Sequence, residues 1–168
     1  MIRMVHAFLL MLSLAGTVQA QPQNWAQIAA TFGCTQQILN RPITERAPGQ
    51  QEYIPAGERE NAWSRIYTVT LVAGPQDEAA ANAAVDELIQ RMRATFQRSG
   101  ARVTTFDVLR GNHGAVAFFE FVIGGEPNVG VIHRAAPGLM VIQQIAARGK
   151  GPTPDDRRRL RSFIGLRD

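Results

Sequence analysis

Three side chains beyond the first twenty residues carry nucleophilic or acid–base chemistry: Cys34, His113 and His133. A cysteine thiol activated by a histidine imidazole is the nucleophile and base of many hydrolases, so these residues allow a Cys34-dependent hydrolase. Nothing in their spacing brings them together, because Cys34 follows a predicted helix end while His113 falls in a hairpin turn and His133 in a strand. We therefore predict that Cys34 is buried and inert, as free cysteines usually are.

Four arginines close to the C-terminus form a basic cluster: Arg157, Arg158, Arg159 and Arg161. Such a cluster can bind anionic lipid or an acidic partner. It can equally be the solvated face of a helix whose opposite face holds Leu160, Phe163 and Ile164. We favour the solvated face, because stable membrane binding usually needs a second signal such as an acyl chain.

Glu120 is a lone carboxylate inside an apolar strand pattern from Ala117 to Ile123. One carboxylate without a partner is a poor candidate for acid–base catalysis, so we expect Glu120 to face solvent or to pair with an arginine. The chain also has no metal-ligand spacing, P-loop, glycine-rich dinucleotide-binding turn or GxSxG elbow. The sequence therefore predicts no enzymatic activity, no cofactor and no bound metal.

The composition is that of a globular protein, with 45% apolar and 19% charged residues. The 18 lysine and arginine residues exceed the 14 aspartate and glutamate residues by only four charges. All the basic residues except Lys150 are arginine, whose very high pKa makes the chain basic without a large charge excess. A nucleic-acid-binding surface needs basic residues gathered on one face, so we expect no nucleic-acid partner.

Residues 1–20 have the order of regions found in a signal peptide, with Arg3, an apolar stretch from Ala7 to Gly16, and a small residue, Ala20, before a polar run. The apolar stretch is too short to cross a bilayer, which needs about 20 residues, so it predicts a removable signal and no transmembrane segment. The alternative, an N-terminal core helix, conflicts with the polar run that follows.

We predict cleavage between Ala20 and Gln21 and a single domain over residues 21–168, located in the periplasm or secreted. Thr17 stands where a lipoprotein signal would have its lipidated cysteine.

The remaining pattern predicts an ordered series of helices and strands. Apolar residues at three- and four-residue steps predict helices over Asn24 to Phe32, from Asp77 to Arg98, and from Thr153 onward. Alternating β-branched and aromatic residues predict strands over Gln51 to Ile54, Trp63 to Val72, Arg102 to Arg110, Ala115 to Ile123, Val129 to Arg134 and Leu139 to Arg148, with a short strand around Ile38 to Ile43 in the connector.

The resulting order is helix, hairpin, long helix, three to four strands, helix. It contains no βαβ alternation, so we predict an α+β fold with an antiparallel sheet flanked by helices. Leu88, Met92 and Phe96 share one face of the long helix and should pack on the sheet. The small residues 79–84 should let the start of this helix lie close to the strands.

The most distinctive stretch runs from Tyr53 to Leu71 and reads YIPAGERENAWSRIYTVTL. Its alternation places Trp63 on one strand face with Tyr67 and Val69, and we predict that this face is buried. If the stretch were instead a recognition surface, Trp63 would be partly exposed.

This stretch resembles one found in small exported bacterial proteins of uncharacterised role, in which a YIPxGE-like turn leads into a tryptophan and a threonine-rich strand. The matching residues are Tyr53, Pro55, Gly57, Glu58, Trp63 and Thr68. The order of elements from Gln51 to Phe163 is similar to the PsbP-like α/β/α sandwich of the photosystem II extrinsic protein and of a nuclear Ran-binding factor. The resemblance implies an accessory or adaptor role and brings no catalytic residues with it.

Our leading functional expectation is an exported, non-enzymatic accessory protein that binds another envelope component through the rim of its sheet. The candidate binding residues are Tyr53, Glu58, Trp63, Arg157, Arg158 and Arg161. A small-ligand or lipid-binding module is the alternative, and it requires a cavity between sheet and helix. The Cys34-dependent hydrolase is the third.

Overall fold

Three helices and seven strands form the part of the chain that the computed structural model describes, residues 24–38, 49–111 and 114–166. The helices are α1 (Trp25–Thr31), α2 (Glu78–Arg98) and α3 (Pro154–Phe163). The strands are β1 (Gln36–Gln37), β2 (Gln50–Ile54), β3 (Arg65–Ala73), β4 (Arg102–Gly111), β5 (Gly114–Ile123), β6 (Glu126–Ala136) and β7 (Leu139–Ala147).

All seven strands belong to one antiparallel sheet in the order β1-β2-β3-β7-β6-β5-β4. The predicted α+β class with an antiparallel sheet flanked by helices is confirmed. The order of elements differs in one respect, because the short strand β1 precedes the hairpin. The strand predicted around Ile38 to Ile43 lies largely outside the described residues, and Ile38 donates its backbone N–H to Glu52 just after β1.

Helix α2 packs on one face of the sheet, which we call the α2 face. Its residues Leu88, Met92 and Phe96 are buried against β5, and the Phe96 ring centroid lies 4.4 Å from that of Phe121. The predicted inner face of this helix is therefore confirmed.

The small residues at the start of α2 do not all contact the sheet as predicted. Ala81 is buried, but Ala79 and Ala83 are exposed. An α-helix turns about 100° per residue, so only one stripe of a run of six can face the strands. Asp77 begins the helix by accepting the backbone N–H of Ala80 at 2.8 Å.

Helices α1 and α3 cover the opposite face, which we call the α3 face. Trp25 of α1 and Leu160 of α3 share a buried cluster with Tyr67 and Val129 of the sheet. The predicted N-cap Thr153 is present, and it forms a capping box with Asp156.

The prediction that Leu160, Phe163 and Ile164 form one buried face of α3 is only partly right. Leu160 is fully buried, whereas the Phe163 side chain is 37% exposed and Ile164 is half-buried. Phe163 is the last residue of the helix, and its ring stacks on that of His133 of β6 with 6.4 Å between the ring centroids.

The prediction that Trp63 shares a strand face with Tyr67 and Val69 is wrong, although the burial of Trp63 is confirmed. Strand β3 begins at Arg65, so Trp63 lies in the preceding turn and the alternation of the strand does not extend to it. Trp63 packs with Ile54 and Ile66, whereas Tyr67 belongs to the cluster on the α3 face. None of the helices in the described ranges is long and apolar enough to cross a membrane.

Candidate functional site

Strand β4 forms one edge of the sheet and is the longest open edge that the described residues contain. It pairs with β5 on one side, from Arg102↔Val122 to Gly111↔Gly114, and no strand of the described chain pairs with its other side. Thr104 is an extra residue between the paired positions Val103 and Thr105. An edge strand of ten residues presents a row of backbone N–H and C=O groups to an incoming chain.

The side chains of β4 expose apolar surface on both faces of the sheet. Val103 pairs with Phe121 on the α2 face and is 40% exposed, while Leu109 pairs with Val116 on the α3 face and is 36% exposed. Together with Phe163, these are the large hydrophobic side chains that stand exposed in the described ranges. We call the outer side of β4, with Val103 and Leu109, the edge-strand surface.

Arginines of α3 divide into two pairs with different surroundings. Arg158 and Arg159 both bind Asp155 on the outer side of the helix. Their hydrogen bonds lower the pKa of the Asp155 carboxyl, whose side chain is partly exposed. For this pair the predicted solvated face is right.

Arg157 and Arg161 instead face the sheet, so the solvated interpretation is wrong for them. Arg157 donates from Nε to Glu120 Oε1 at 2.6 Å and from Nη1 to the Pro152 carbonyl at 2.5 Å. The predicted pairing of Glu120 with an arginine is thus confirmed. The Arg161 guanidinium lies 4.4 Å from the Phe118 ring centroid and 3.9 Å from Asp107 of β4.

The other three candidate residues lie toward the other edge of the sheet, Tyr53 in β2 and Glu58 and Trp63 in the β2–β3 connection. Tyr53 is 3% exposed, and its hydroxyl donates to Gln51 at 2.8 Å. Glu58 closes the turn by accepting the backbone N–H of Ser64 at 2.6 Å and its hydroxyl at 2.5 Å. Trp63 is 2% exposed, beneath the Arg148 guanidinium at 4.1 Å. The structure does not bring these residues together with the α3 arginines.

Cys34 is fully buried, as predicted, and its surroundings keep the thiol protonated. Burial raises its pKa to about 12, with a partly opposing effect of the nearby Arg65 charge. The Sγ atom donates to the Phe32 carbonyl at 3.8 Å. His133 contacts Gln143 and Phe163 rather than Cys34, and His113 lies outside the described residues.

A row of buried polar residues on the α2 face was missed from the sequence: Gln50, Glu52, Thr68, Thr70, Asn128 and Gln144. The row crosses four strands, since Glu52 pairs with Thr68 and Thr68 with Gln144. The Gln144 amide donates to Asn128 at 2.8 Å. The signal was visible as polar residues at every second position of the strands, but alternation alone does not tell a buried polar face from a solvated one.

A cleft of about 330 Å³ lies between α2 and the adjoining ends of β3 and β7. Gly74, Leu88 and Met140 line its apolar part, and Glu87 and Arg91, which form an ion pair, also line the cleft. A side chain at position 74 would crowd this lining, because a Cβ there would lie 3.2 Å from Met140 Cγ.

Comparison with known proteins identifies a fold likeness at low sequence identity. No model of a known protein family matches the chain, and no curated protein matches it. The solution structure of cyanobacterial PsbP (CyanoP) from Synechocystis sp. PCC 6803 is similar to this chain, with a TM-score of 0.47 and 12% sequence identity. The match covers 92% of this chain and 94% of that chain.

Proposed function

We propose that this protein is an exported accessory protein without enzymatic activity, and that it binds a partner polypeptide of the cell envelope along strand β4. One observation carries the proposal: β4 is an edge of ten residues that no other described strand pairs on its outer side, and it has exposed apolar side chains on both faces. Proteins often shorten or cover such an edge to prevent unwanted pairing. Its retention at this length favours a role in binding.

Strand addition is the binding mode that this edge fits. An incoming extended segment pairs its backbone with the outer N–H and C=O groups of β4, which supplies affinity. Val103 and Leu109 then contact side chains of the segment on opposite faces, which supplies selectivity. Among the candidate residues from the sequence, Arg161 lies beside this edge through Asp107.

The cellular location and the fold family belong to the same proposal. Export is supported by the signal-peptide pattern of residues 1–20. The PsbP-like sandwich is supported by the order of the elements and by the motif that begins at Tyr53. N-terminal sequencing of the protein from its native cells tests the export step, which requires a mature N-terminus within a few residues of Gln21.

The binding site is tested with two exposed positions of β4. We expect the double substitution Val103→Lys and Leu109→Lys to abolish partner capture from native cells without lowering the melting temperature. Ala62→Lys, at an exposed position of the β2–β3 connection, is the matched control and should capture as wild type does. Equal capture by all three proteins would refute binding along β4.

A small-ligand module is the second candidate, and the cleft beside α2 favours it. Its volume is near the lower limit of ligand pockets, about 300 Å³. An apolar lining that also includes Arg91 fits a small amphiphile such as a medium-chain carboxylate. NMR titration with octanoate should shift signals of Met140 and Leu88 in the wild type, and Ala84→Leu, which fills the cleft, should remove those shifts. Absence of shifts in the wild type would exclude this ligand class.

A further inference from the structure

The edge-strand surface is flanked by positioned arginines on both faces of the sheet. On the α2 face, the Arg93 guanidinium lies 4.6 Å from the ring centroid of Phe106, a residue of β4. On the α3 face, the Arg161 guanidinium is held over Phe118, the residue paired with Asp107 of β4. A guanidinium held against an aromatic ring has less conformational freedom to lose when it binds a carboxylate.

Two further arginines belong to β4 itself. Arg102, at its start, is exposed, and its side chain makes no hydrogen bond or ion pair with the described part of the chain. Arg110, near its end, pairs with Asp86 at 2.6 Å, where the two side chains are 67% and 40% exposed. Exposed pairs of this kind contribute little stability, about 0 to 1 kcal/mol, so a partner's carboxylate can compete for the arginine.

The charge around this edge is therefore positive. Its arginines are Arg93, Arg102, Arg110 and Arg161, and the acidic residues that pair with them are Asp86 and Asp107. On the outer side of α3, Arg158 and Arg159 share the single carboxylate of Asp155. Apolar Val103 and Leu109 lie between these charges on the same strand.

We infer that the edge-strand surface binds an acidic, extended segment of the partner polypeptide as an added strand beside β4. The inference rests on the proposed function and adds the chemistry of the partner. Successive side chains of a strand point to opposite faces, so carboxylates of the segment reach Arg93 on one face and Arg102 on the other. Apolar side chains of the segment contact Val103 and Leu109.

A second copy of this chain is the less favourable occupant of the same edge. Pairing β4 with its own copy would bring two arginine-rich strands together, and like charges across an interface are destabilising. An acidic segment has the opposite effect, because it neutralises Arg102 and accelerates encounter through long-range attraction.

The test uses the full-length protein in its native cells. A photo-crosslinking amino acid is placed at Leu109 and, separately, at Ala62, and the crosslinked partner segment is identified by mass spectrometry. A synthetic peptide of that segment is then titrated against the purified protein at low and high sodium chloride. Attraction between exposed charges is screened over about 10 Å at 0.1 M salt. An electrostatic contribution to the affinity therefore shows as weaker binding at high salt than at low salt.

We expect the segment captured at Leu109 to carry a net negative charge. Its peptide should bind the wild type at least about tenfold more weakly at high salt than at low salt. At low salt, it should bind Arg102→Glu at least about tenfold more weakly than the wild type. A tenfold difference is a modest change in binding free energy. Arg59→Glu, an equal charge change at an exposed position of the β2–β3 connection, should leave binding unchanged. Thermal melts of both variants should match the wild type.

The failures of the two proposals are distinguishable. A neutral or basic segment at Leu109, a second copy of this chain, or equal binding to Arg102→Glu and Arg59→Glu overturns the acidic-partner inference. A neutral or basic segment at Leu109, or equal binding to the two variants, is still consistent with binding of a partner along β4. If nothing is captured at Leu109, with or without capture at Ala62, binding along β4 is itself refuted.

Discussion

The side-chain amide nitrogen of Gln143 lies 2.8 Å from Nε2 of His133, inside the α3 face of the sheet. The carbonyl oxygen of the same Gln143 amide accepts a hydrogen bond from the Tyr67 hydroxyl at 2.8 Å. Burial raises the pKa of Tyr67, so this hydroxyl keeps its proton. Gln143 must therefore donate to His133, and Nε2 of His133 must be unprotonated to accept.

The His133 network makes stability depend on pH in one direction. Burial lowers the pKa of His133 from 6.5, partly opposed by a hydrogen bond with the Arg134 backbone. Below pH 6.5 the unfolded chain binds a proton at this residue that the folded protein does not, so stability falls as pH falls. The slope from this group is at most about 1.4 kcal/mol per pH unit, and it ends at the folded pKa.

We predict that His133→Gln has a flatter pH dependence of unfolding than the wild type. Urea unfolding of both proteins, from slightly alkaline to moderately acidic pH, gives the difference in slope that His133 causes. Other titrating groups are present in both proteins and cancel in this difference. Parallel curves would show that His133 accepts a proton in the folded state as readily as in the unfolded state.

The fold class could be predicted from local patterns, while the position of β4 at the edge of the sheet could not. Asp77 and the apolar stripe through Leu88 and Phe96 define α2 within a single segment of sequence. The edge position of β4 depends instead on β7 pairing with β3, from Arg65↔Ala147 to Ala73↔Leu139. That contact joins segments distant in sequence, and strand alternation gives no information about it.

The side-chain positions of the candidate binding residues also could not be predicted from local sequence patterns alone. The YIPxGE-like motif predicted a turn that leads to Trp63, but the face of Trp63 depended on where extended backbone begins. Likewise Arg157 and Arg158 are neighbours in sequence, yet one contacts Glu120 of the sheet and the other Asp155 of its own helix. A helical step of about 100° separates the two side chains.

The Cys34 thiol should be unreactive in the folded protein. With a pKa of about 12, the thiol stays protonated at pH 8, where an unperturbed cysteine is partly ionised. We predict no labelling by iodoacetamide in the native protein and complete labelling in urea. Ala30→Cys, at an exposed position of α1, is the control that should label in the folded state. Rapid native labelling of the wild type would reopen the thiol hydrolase hypothesis.

Leu88 should contribute far more to stability than Arg91, three positions along the same helix. Leu88 is 3% exposed within the cluster under α2, so Leu88→Ala should cost about 2 to 5 kcal/mol. Arg91 pairs with Glu87 where both side chains are largely exposed, and Arg91→Ala should cost less than about 1 kcal/mol. Urea unfolding of the two variants measures the contrast. Similar losses would mean that Leu88 does not pack against the sheet.

Trp63 is the residue at which a packing role and a binding role differ most clearly. Its side chain is 2% exposed, among Ile54 and Ile66, and Arg148 covers its ring at 4.1 Å. Arg148 also donates to the Trp63 carbonyl at 3.2 Å, so the ring and the turn are fixed together. We predict that Trp63→Ala lowers the free energy of unfolding by about 3 to 5 kcal/mol, because it removes a large buried side chain.

Thermal melts of Trp63→Ala and Trp63→Phe, each combined with partner capture at Leu109, test this prediction. The phenylalanine variant retains much of the apolar volume and should melt between the wild type and Trp63→Ala. Below their melting temperatures both variants should still capture the partner, because β4 lies at the opposite edge of the sheet from the Trp63 cluster. An unchanged melt of Trp63→Ala together with lost capture would instead make the motif from Tyr53 to Leu71 the binding site, and the packing role would be wrong.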